Sequence, residues 1–474
     1  MKTLIASQMY NAPGSVDLDF DAALIRKYDR SGPRYTSYPT ADRFVEAFTT
    51  TNYALAVKNR GNTGLIRPLS LYFHLPFCAT ICFYCGCNKI VTRDRSKAER
   101  YAKYLAKEMA IQHELLQPHV AVGQLHWGGG TPTFLSHAQM RELMHVTRQR
   151  FDLAADGEYS IELDPRTVDV DTVGLLAELG FNRISLGVQD FDDAVQRAVN
   201  RVQSAEETKA VIEAARGFGF KSVSVDLIYG LPKQSVQSFA RTLDQVVALN
   251  PDRVSIYNYA HLPLVFKPQR RIDEAELPSA AEKLNILHVA IESLTHSGYH
   301  YIGMDHFAKP HDELTIAQRL GRLQRNFQGY STHADYDLVA MGVTAISHIM
   351  PTYSQNLRGL SEYYDRLDQG ILPVMRGIEM GRDDRLRWAI IQSLMCHFML
   401  SVESIEFVYF IDFKVYFERE LEELRTMEQD GLLELSKDWI EVTPKGRLLI
   451  RNICMVFDQY LRRDRERLRY SKAI

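Results

Sequence analysis

The sequence predicts an α/β fold in which a partial (β/α)6 TIM-like barrel is followed by a mainly helical, winged-helix-like domain. Three observations support this. Predicted strands and helices alternate from about residue 68 to 260, and the sequence pattern changes after about residue 366. Four cysteines also lie within a ten-residue stretch just after the first predicted strand. The 474 residues are 46% hydrophobic and 24% charged, which is ordinary for a globular protein. This composition excludes a disordered, collagen-like or low-complexity chain.

Short runs rich in β-branched and aromatic residues, bounded by Gly, Pro, Asp or Asn, predict the strands 69–75, 122–128, 158–164, 182–188, 221–229 and 252–259. Helical patterns lie between them at 97–116, 136–151, 168–179, 192–217 and 235–249. Strands that alternate with helices in this way are typical of parallel βα units. In a barrel of this kind the chemistry takes place at the carboxyl ends of the strands.

We expect three consecutive segments: an N-terminal arm at 1–60, the barrel with following helices at 61–365, and a C-terminal domain at 366–474. The string SGPRYTSYPT (31–40) predicts an extended or turned arm. Further helices are predicted at 278–297 and 312–326. The C-terminal domain resembles a winged helix, because a predicted helix at 415–429 is followed by a hairpin at 432–443 and a helical pattern from residue 444. We expect this domain to cover the substrate or to pack against the barrel, in preference to binding DNA.

The formal net charge of −3 does not indicate nucleic acid or an acidic membrane as a partner. The tail 461–474, with six basic and two acidic residues, is a weak signal. The longest apolar run, WAIIQSLMCHFML (388–400), is shorter than the roughly 18–20 residues of a membrane helix and fits a buried helix. The apolar stretch at the N-terminus is too short for a signal peptide, so we expect a cytoplasmic protein. From the charge and the apolar runs we also expect no nucleic-acid partner and no membrane span.

Cysteines 78, 82, 85 and 87 have the spacing C-x3-C-x2-C-x-C. Thiolates select zinc, copper(I) or iron–sulfur. Structural zinc sites usually use two separated pairs, whereas compact runs hold iron–sulfur clusters. An iron–sulfur cluster is therefore preferred, with zinc as the alternative. Cys396 and Cys454 lie in apolar helical patterns and are predicted to be buried free thiols.

Polar residues follow the other predicted strands. Gly128, Gly129 and Gly130 let the backbone approach a ligand closely. Carboxylates at strand ends suit ribose hydroxyls or an ammonium group, and Gln and Arg suit a carboxylate or hydroxyl; the candidates are Glu162, Gln189, Arg201 and Asp226. His126, His261 and His306 are interpreted as scaffold residues.

The C-x3-C-x2-C run resembles the signature of radical S-adenosylmethionine (SAM) enzymes. Seven further strings resemble one family of that superfamily, the oxygen-independent coproporphyrinogen III dehydrogenases: PRYTSYPTADRF (33–44), CGCNKIVTR (85–93), LHWGGGTPT (125–133), GVQDF (187–191), DLIYGLPKQ (226–234), GMDHFA (303–308) and KGRLLIRNICM (445–455). The resemblance spans nearly the whole chain.

This resemblance implies a 4Fe–4S cluster held by Cys78, Cys82 and Cys85, with its fourth iron open to SAM. Cys87 is expected near the cluster but not bound to it, because a fourth thiolate would displace SAM. The family binds two SAM molecules. The implied contacts are Tyr72, Gly129, Glu162, Ala260 and Ile346 for the first, and Tyr84, Gly130, Thr131, Gln189, Arg201 and Asp226 for the second. Tyr72, Asn326 and Gln328 are implied near substrate or SAM, and no residue is assigned as acid or base.

The implied reaction is oxidative decarboxylation of two propionates of coproporphyrinogen III to vinyl groups. Arg34 is a candidate partner for the substrate carboxylates. We also expect an electron donor such as a flavodoxin-like protein, and a monomeric enzyme. Two alternatives remain: a haem-trafficking relative in the same superfamily, and a winged-helix regulator that senses iron or oxygen.

Overall fold

The computed structural model describes residues 18–60, 67–116 and 120–463. These residues form two compact units. The barrel unit comprises Phe44–Ile286 and Asp335–Glu379, and the arm unit takes in residues up to Arg43, Leu287–Ala334 and the chain from Met380. Neither unit is one continuous segment, so they do not coincide with the predicted divisions 1–60, 61–365 and 366–474. The start of the predicted arm and most of the basic tail 461–474 lie outside the described residues.

The strands are, in chain order, β1 Leu69–Leu75, β2 Phe77–Cys78, β3 Ile90–Val91, β4 Ala121–Gly129, β5 Asp152–Leu163, β6 Arg183–Gln189, β7 Ser222–Tyr229, β8 Arg253–Asn258, β9 His300–Gly303, β10 His306–Ala308, β11 Gln324–Asn326, β12 Gly329–Ser331, β13 Asp337–Met341, β14 Ile346–Ile349, β15 Thr352–Asn356, β16 Val374–Glu379, β17 Met399–Ser401, β18 Leu433–Leu435 and β19 Trp439–Val442.

The α-helices are α1 Ala22–Tyr28, α2 Thr50–Asn59, α3 Arg95–Leu115, α4 His137–Arg150, α5 Val170–Glu178, α6 Asp193–Ala198, α7 Ala205–Gly217, α8 Val236–Leu249, α9 Ala280–His296, α10 Glu313–Arg319, α11 Leu360–Asp368, α12 Arg382–His397, α13 Val402–Tyr409, α14 Phe413–Tyr416, α15 Glu418–Gln429, α16 Pro444–Arg447, α17 Ile450–Val456 and α18 Gln459–Arg463. Short 3-10 turns occur at Ala41–Arg43, Pro132–Phe134, Pro165–Thr167, Lys267–Arg271 and Glu274–Glu276.

The barrel unit contains one large sheet, with neighbouring strands in the order β16-β15-β14-β13-β1-β4-β5-β6-β7-β8. From β13 through β8 each neighbouring pair is parallel. The remaining pairs, from β13 to β16, are antiparallel. The predicted α/β class and the six predicted strands of the partial barrel are confirmed, and the sheet is extended by β13–β16, which were not predicted.

Residues on the two faces of these parallel strands differ sharply. One face is apolar and buried, as at Leu71, Trp127 and Val225. The other face, here called the inner face, carries partly exposed polar residues at alternating positions: Tyr72, His126, Ser160, Glu162, Ser185 and Asp226. Parallel strands covered on both faces are normally apolar throughout. The inner face therefore lines a polar, open space and not a packed core.

Local capping explains where one predicted helix is interrupted. The sequence predicts a single helix at 192–217, but the structure has α6 and α7 there. Asn200 adopts a left-handed conformation (φ 55°), which a continuing helix does not accommodate. Ser204 then begins α7 through a capping box with Glu207.

The arm unit confirms the predicted hairpin at 432–443, since β18 and β19 pair antiparallel and β17 completes a three-stranded sheet. The helix predicted at 312–326 is wrong beyond Arg319: α10 ends there, Gly321 follows with φ 65°, and β11 and β12 form a hairpin. Cys396 and Cys454 are buried free thiols, as predicted.

The extended arm is fastened within its own unit. The Arg451 guanidinium donates to the carbonyls of Gly32 and Pro33. Arg34 pairs with Asp305. The Tyr35 hydroxyl donates to Asp458 over 3.1 Å. The string around Arg34 thus connects distant parts of the chain. No helix among residues 18–60, 67–116 and 120–463 is both long and apolar enough to cross a membrane.

A buried carboxylate joins α3 to the β13–β15 region and α11. Glu108 is fully buried and accepts hydrogen bonds from the Gly342 N–H (2.8 Å), the Asn356 amide (2.7 Å) and the Tyr363 hydroxyl (2.5 Å). We expect Glu108→Ala to lower the free energy of unfolding by about 3 kcal/mol, since three buried donors would lose their acceptor. Urea unfolding measures this.

The matched control for Glu108→Ala is Glu114→Ala, which removes an exposed carboxylate from the same helix. The control should change the free energy of unfolding by less than about 0.5 kcal/mol. Equal effects of the two substitutions would contradict a structural role for the buried carboxylate.

Candidate functional site

The cysteine loop, residues 78–89, leaves the carboxyl end of β1. Its two ends are joined because β2 and β3 pair in parallel, with Phe77 opposite Ile90. The His74 imidazole also lies 3.1 Å from the Asn88 carbonyl. Cys78, Cys82 and Cys85 are partly exposed and Cys87 is exposed. The structure therefore places these thiols on one closed loop, at the end of the sheet where the sequence predicts the chemistry.

Donors from neighbouring strand ends reach two of the sulfur atoms. The Thr131 hydroxyl donates to Cys78 Sγ over 3.6 Å. The guanidinium groups of Arg201 and Arg166 donate to Cys82 Sγ over 3.6 and 3.9 Å. Hydrogen bonds to ligating sulfurs orient them and tune the potential of an iron–sulfur cluster. These contacts suit thiolates bound to metal.

The thiols differ in proton affinity. Burial raises the pKa of Cys78 to about 11. A hydrogen bond from the Cys87 thiol, with help from Lys89, lowers the pKa of Cys85 to about 5, and the same bond raises the pKa of Cys87. The Lys89 ammonium also donates to the Cys85 carbonyl over 3.0 Å. Cys87 thus favours the thiolate form of Cys85.

The donor set fits an iron–sulfur cluster. In the part of the chain that the structure describes, no three His, Cys, Asp or Glu side chains are grouped as ligands of one metal ion. A 4Fe–4S cluster makes a different demand, because each cysteine binds a separate iron. Three thiols spread along one short loop meet that demand, and the donors to the Cys78 and Cys82 sulfurs add to the fit.

A polar chain crosses the inner face beside the loop. The rings of Tyr72 and His126 stack with centroids 5.7 Å apart. The two ring nitrogens of His126 lie 2.6 Å from the Ser160 hydroxyl and 3.3 Å from Glu162 Oε1. The Gly129 N–H donates to Glu162 Oε2 over 2.9 Å. His126 therefore holds a carboxylate in place, which agrees with its interpretation as a scaffold residue.

The Glu162 carboxyl group is held in its ionised form. Desolvation inside the barrel would raise its pKa, but the His126 imidazole and the Gly129 N–H hold it below the ordinary value. Its side chain is nevertheless 43% exposed, so it faces the open space of the inner face. A carboxylate in this setting can accept hydrogen bonds from a cationic or hydroxyl-bearing ligand.

The glycine segment lies against the start of the cysteine loop. Gly129 has φ 112°, a conformation that other residues rarely adopt. A Cβ atom on Gly130 would lie 2.7 Å from the Phe77 carbonyl oxygen. The N–H groups of Gly130 and Thr131 donate to the carbonyls of Leu75 and Phe77. Only glycine allows this close approach of the two strand ends.

Arg201 joins three parts of the site. Besides Cys82, its guanidinium donates to Asp164 over 3.2 Å and to the Gly187 carbonyl. Asp164 also pairs with Arg166 at 2.6 Å. Burial would raise the pKa of Asp164, but the two guanidinium groups hold it below its ordinary value. Tyr84 also lies close, since its ring packs against the apolar cluster around Val199 and Tyr259.

Asp226 lies further along the inner face and accepts a 2.8 Å hydrogen bond from the Ser185 hydroxyl. Burial raises its pKa to about 6, and the nearby charge of Glu162 adds to the effect. Gln189 ends β6 with φ 69°. Ala260 follows β8 and accepts a hydrogen bond from Gln269, and Ile346 begins β14.

The structure brings the cysteine loop together with Tyr72, Gly129, Gly130, Thr131, Glu162 and Arg201, all in the barrel unit. Asn326 and Gln328 belong to the β11–β12 hairpin of the arm unit, as does Arg34 to the arm. Their place near substrate or SAM stays a prediction. Sequence reasoning missed Arg166 as a contact of the Cys82 sulfur and Lys89 as a contact of the Cys85 carbonyl. The position of Arg166 just after β5, within Asp164-Pro165-Arg166, was an available signal.

Comparisons with known proteins agree with this geometry. A family model described as the Radical SAM superfamily matches residues 72–246, and one described as the HemN C-terminal domain matches residues 381–449. The chain is 53% identical to the oxygen-independent coproporphyrinogen III oxidase of Pseudomonas aeruginosa, covering 96% of this chain and 99% of the relative. It is 45% identical to that of a Synechocystis species, covering 96% and 98%.

One solved structure matches nearly the whole chain. It is the coproporphyrinogen III oxidase of Escherichia coli, which its title calls a radical SAM enzyme. The TM-score is 0.89 at 50% sequence identity, covering 94% of this chain and 100% of the other. The match includes both the barrel and the C-terminal region.

Proposed function

The chain belongs to the family of oxygen-independent coproporphyrinogen III oxidases, which are radical SAM enzymes, and we propose that it makes protoporphyrinogen IX in haem biosynthesis. The proposed reaction converts the ring A and ring B propionates of coproporphyrinogen III to vinyl groups. After a hydrogen atom is removed, each propionate loses CO2 and one electron, which passes to an electron acceptor. The observation that carries the proposal is the closed cysteine loop beside a polar inner face, with sulfur atoms that accept hydrogen bonds from Thr131, Arg166 and Arg201.

When bound, the 4Fe–4S cluster and SAM would supply the 5′-deoxyadenosyl radical that removes a hydrogen atom from the propionate. We propose that Cys78, Cys82 and Cys85 hold the cluster and that Cys87 does not. Lys89, Arg166 and Arg201 place positive charge around these thiolates, which favours the anionic ligands.

We propose that the inner face binds SAM in two places. Tyr72, Gly129 and Glu162, with Ala260 and Ile346, would line the molecule at the cluster. Glu162 supports this because its low pKa keeps it anionic for the ammonium group of SAM. Tyr84, Gly130, Thr131, Gln189, Arg201 and Asp226 would contact the second molecule.

Four carboxylates on the substrate require cationic partners. We propose Arg34 for one of them, with Asn326 and Gln328 near substrate or SAM. Arg34 already pairs with Asp305, so a carboxylate would exchange with an existing partner. We further propose that the enzyme works as a monomer in the cytoplasm and receives electrons from a small redox protein. The haem-trafficking alternative is not favoured, because relatives that match 96% of the chain are named as oxidases.

The deciding experiment is an anaerobic assay with coproporphyrinogen III, SAM and dithionite. We expect protoporphyrinogen IX, with methionine and 5′-deoxyadenosine formed in proportion to vinyl groups. Liquid chromatography measures all three products. Stoichiometric haem binding without any vinyl product would contradict the proposal and support haem trafficking.

The role of Asp226 predicts a pH dependence. Because its pKa is raised to about 6, the carboxylate forms only as the pH rises through that value. We expect kcat/KM of the native enzyme to increase between pH 5 and 7, whereas Asp226→Asn should be roughly tenfold less active at pH 7 and flatter over that window. The native enzyme and Asp226→Asn should have the same cluster absorption. Unchanged kinetics in Asp226→Asn would contradict a role for Asp226 in the site.

A further inference from the structure

We propose that the segment Leu262–Arg271, here called the docking loop, is the surface on which an acidic electron-carrier protein binds to reduce the site. The inference rests on the proposed function, because only a reaction started by reduction needs such a donor. The chemistry of the step is limited: the carrier loses one electron, the cluster gains it, and no atom is transferred.

The docking loop lies directly against the cysteine loop. The Phe266 ring lies 3.1 Å from where a Cβ atom of Gly86 would be, and Gly86 separates Cys85 from Cys87. The Gln269 amide donates to the Tyr84 carbonyl over 3.0 Å. Since electron transfer through protein slows steeply with distance, a donor must bind close to the cysteine loop, and this surface meets that requirement.

The docking loop exposes apolar side chains without being loose. Leu264 is 91% exposed and Val265 is 67% exposed. The loop is nevertheless ordered by hydrogen bonds, because the Leu262 N–H donates to the Gln269 side chain over 2.6 Å and the Phe266 N–H donates to the Leu262 carbonyl over 2.9 Å. A rigid loop that presents two apolar side chains loses little conformational freedom on binding a partner.

Basic side chains lie around the exposed apolar residues Leu264 and Val265. Lys267, Arg270 and Arg271 are exposed. Arg270 donates to the Pro263 carbonyl, and Arg271 lies over the Phe83 ring at 5.3 Å, so these contacts do not neutralise their charges.

The nearest acidic side chains follow the docking loop in the sequence. Glu274 pairs with His261 at 3.1 Å, and Asp273 accepts the Ala275 N–H. These contacts leave both carboxylates charged, but the docking loop itself carries three basic side chains, Lys267, Arg270 and Arg271, and no acidic one. Its rim, formed by these three residues, is therefore complementary to an acidic partner.

The basic charge of the docking loop favours an acidic carrier protein over a second copy of this chain. A second copy of this chain meeting the same surface by two-fold symmetry would bring basic rims together, which is unfavourable. A small acidic carrier meets complementary charge at the rim and apolar contact at the centre. Electron-transfer complexes are typically small and short-lived, which suits a surface of about ten residues.

The test compares two reductants in the full-length enzyme. Leu264→Asp combined with Lys267→Glu should lower product formation driven by reduced flavodoxin about tenfold, because an apolar anchor and a complementary charge are lost. Dithionite is small and needs no docking surface, so its rate should stay within about twofold of the native rate. The matched control is Phe410→Asp, an 86% exposed apolar residue in the arm unit, which should change neither rate.

Binding gives a readout that does not depend on turnover. Titrating flavodoxin with the native chain should give a saturating heat of binding by calorimetry, and the double variant should bind about tenfold more weakly. Salt should weaken the native complex by screening the rim charges. Unchanged flavodoxin binding in the double variant, or a native dimer that the double variant dissolves, would overturn the docking assignment. Equal losses with both reductants would overturn it too, whereas a native enzyme inactive with dithionite would contradict the proposed function instead.

Discussion

Serine at Cys78, Cys82 or Cys85 is expected to abolish the visible iron–sulfur absorption of the anaerobically purified enzyme and to reduce product formation to background. Each thiolate would hold a different iron, and a serine hydroxyl is a hard ligand that iron–sulfur chemistry does not favour. The structure adds that the sulfurs of Cys78 and Cys82 already accept hydrogen bonds from Thr131 and Arg201. Absorption spectra with iron and sulfide analysis measure the effect.

Cys87→Ser is the matched control, because it removes a thiol from the same loop. The neighbouring Cys87 thiol lowers the pKa of Cys85, and a serine hydroxyl at position 87 can also stabilise that thiolate. We therefore expect the cluster to be retained. Loss of the cluster in this variant would make Cys87 a ligand, and full retention in any of the other three variants would contradict that ligand assignment.

Glu162→Gln is expected to lower kcat by a factor of about 10² to 10³ while the cluster absorption stays unchanged. The amide keeps the shape and can still accept the Gly129 N–H. It loses the negative charge that would meet the ammonium group of SAM. SAM binding by equilibrium dialysis and the yield of 5′-deoxyadenosine measure the two consequences separately.

Glu158→Gln is the control for this prediction. Glu158 lies on the same strand as Glu162, four residues earlier, and its side chain is on the same face. It accepts a hydrogen bond from the Gln124 amide over 3.1 Å. We expect its effect on kcat to be less than about threefold, since it is not placed among the SAM contacts. Similar losses in both variants would mean that Glu162 acts through the general charge of the strand.

The six central strands were predictable because their signals are local. Runs such as LSLYFHL and KSVSVDLIY combine β-branched or aromatic residues with nearby Gly, Pro, Asp or Asn boundaries. The later strands β13–β16 are stabilised by pairing with partners already in the sheet, such as Asp337 opposite Leu69. That information is not present in a short window of sequence. The same reason explains the hairpin β11–β12, where a helical pattern was preferred.

The cysteine loop and the polar strand ends were predictable as a site because parallel strands bring their carboxyl ends to one edge. Which side chains touch was not predictable. Arg201 was expected at the second SAM, yet here it reaches Cys82 and Asp164 as well. Such contacts depend on side-chain reach across two or three loops, which spacing along the chain does not encode.

Neighbouring residues on the barrel strands have different roles, because their side chains lie on opposite faces of the sheet. Leu71, Trp127 and Val225 are fully buried and maintain the fold, whereas the adjacent Tyr72, His126 and Asp226 face the open space. Evolution can therefore revise the second set one residue at a time at little cost in stability. A single scaffold of this kind can be adapted to new substrates without redesigning its core.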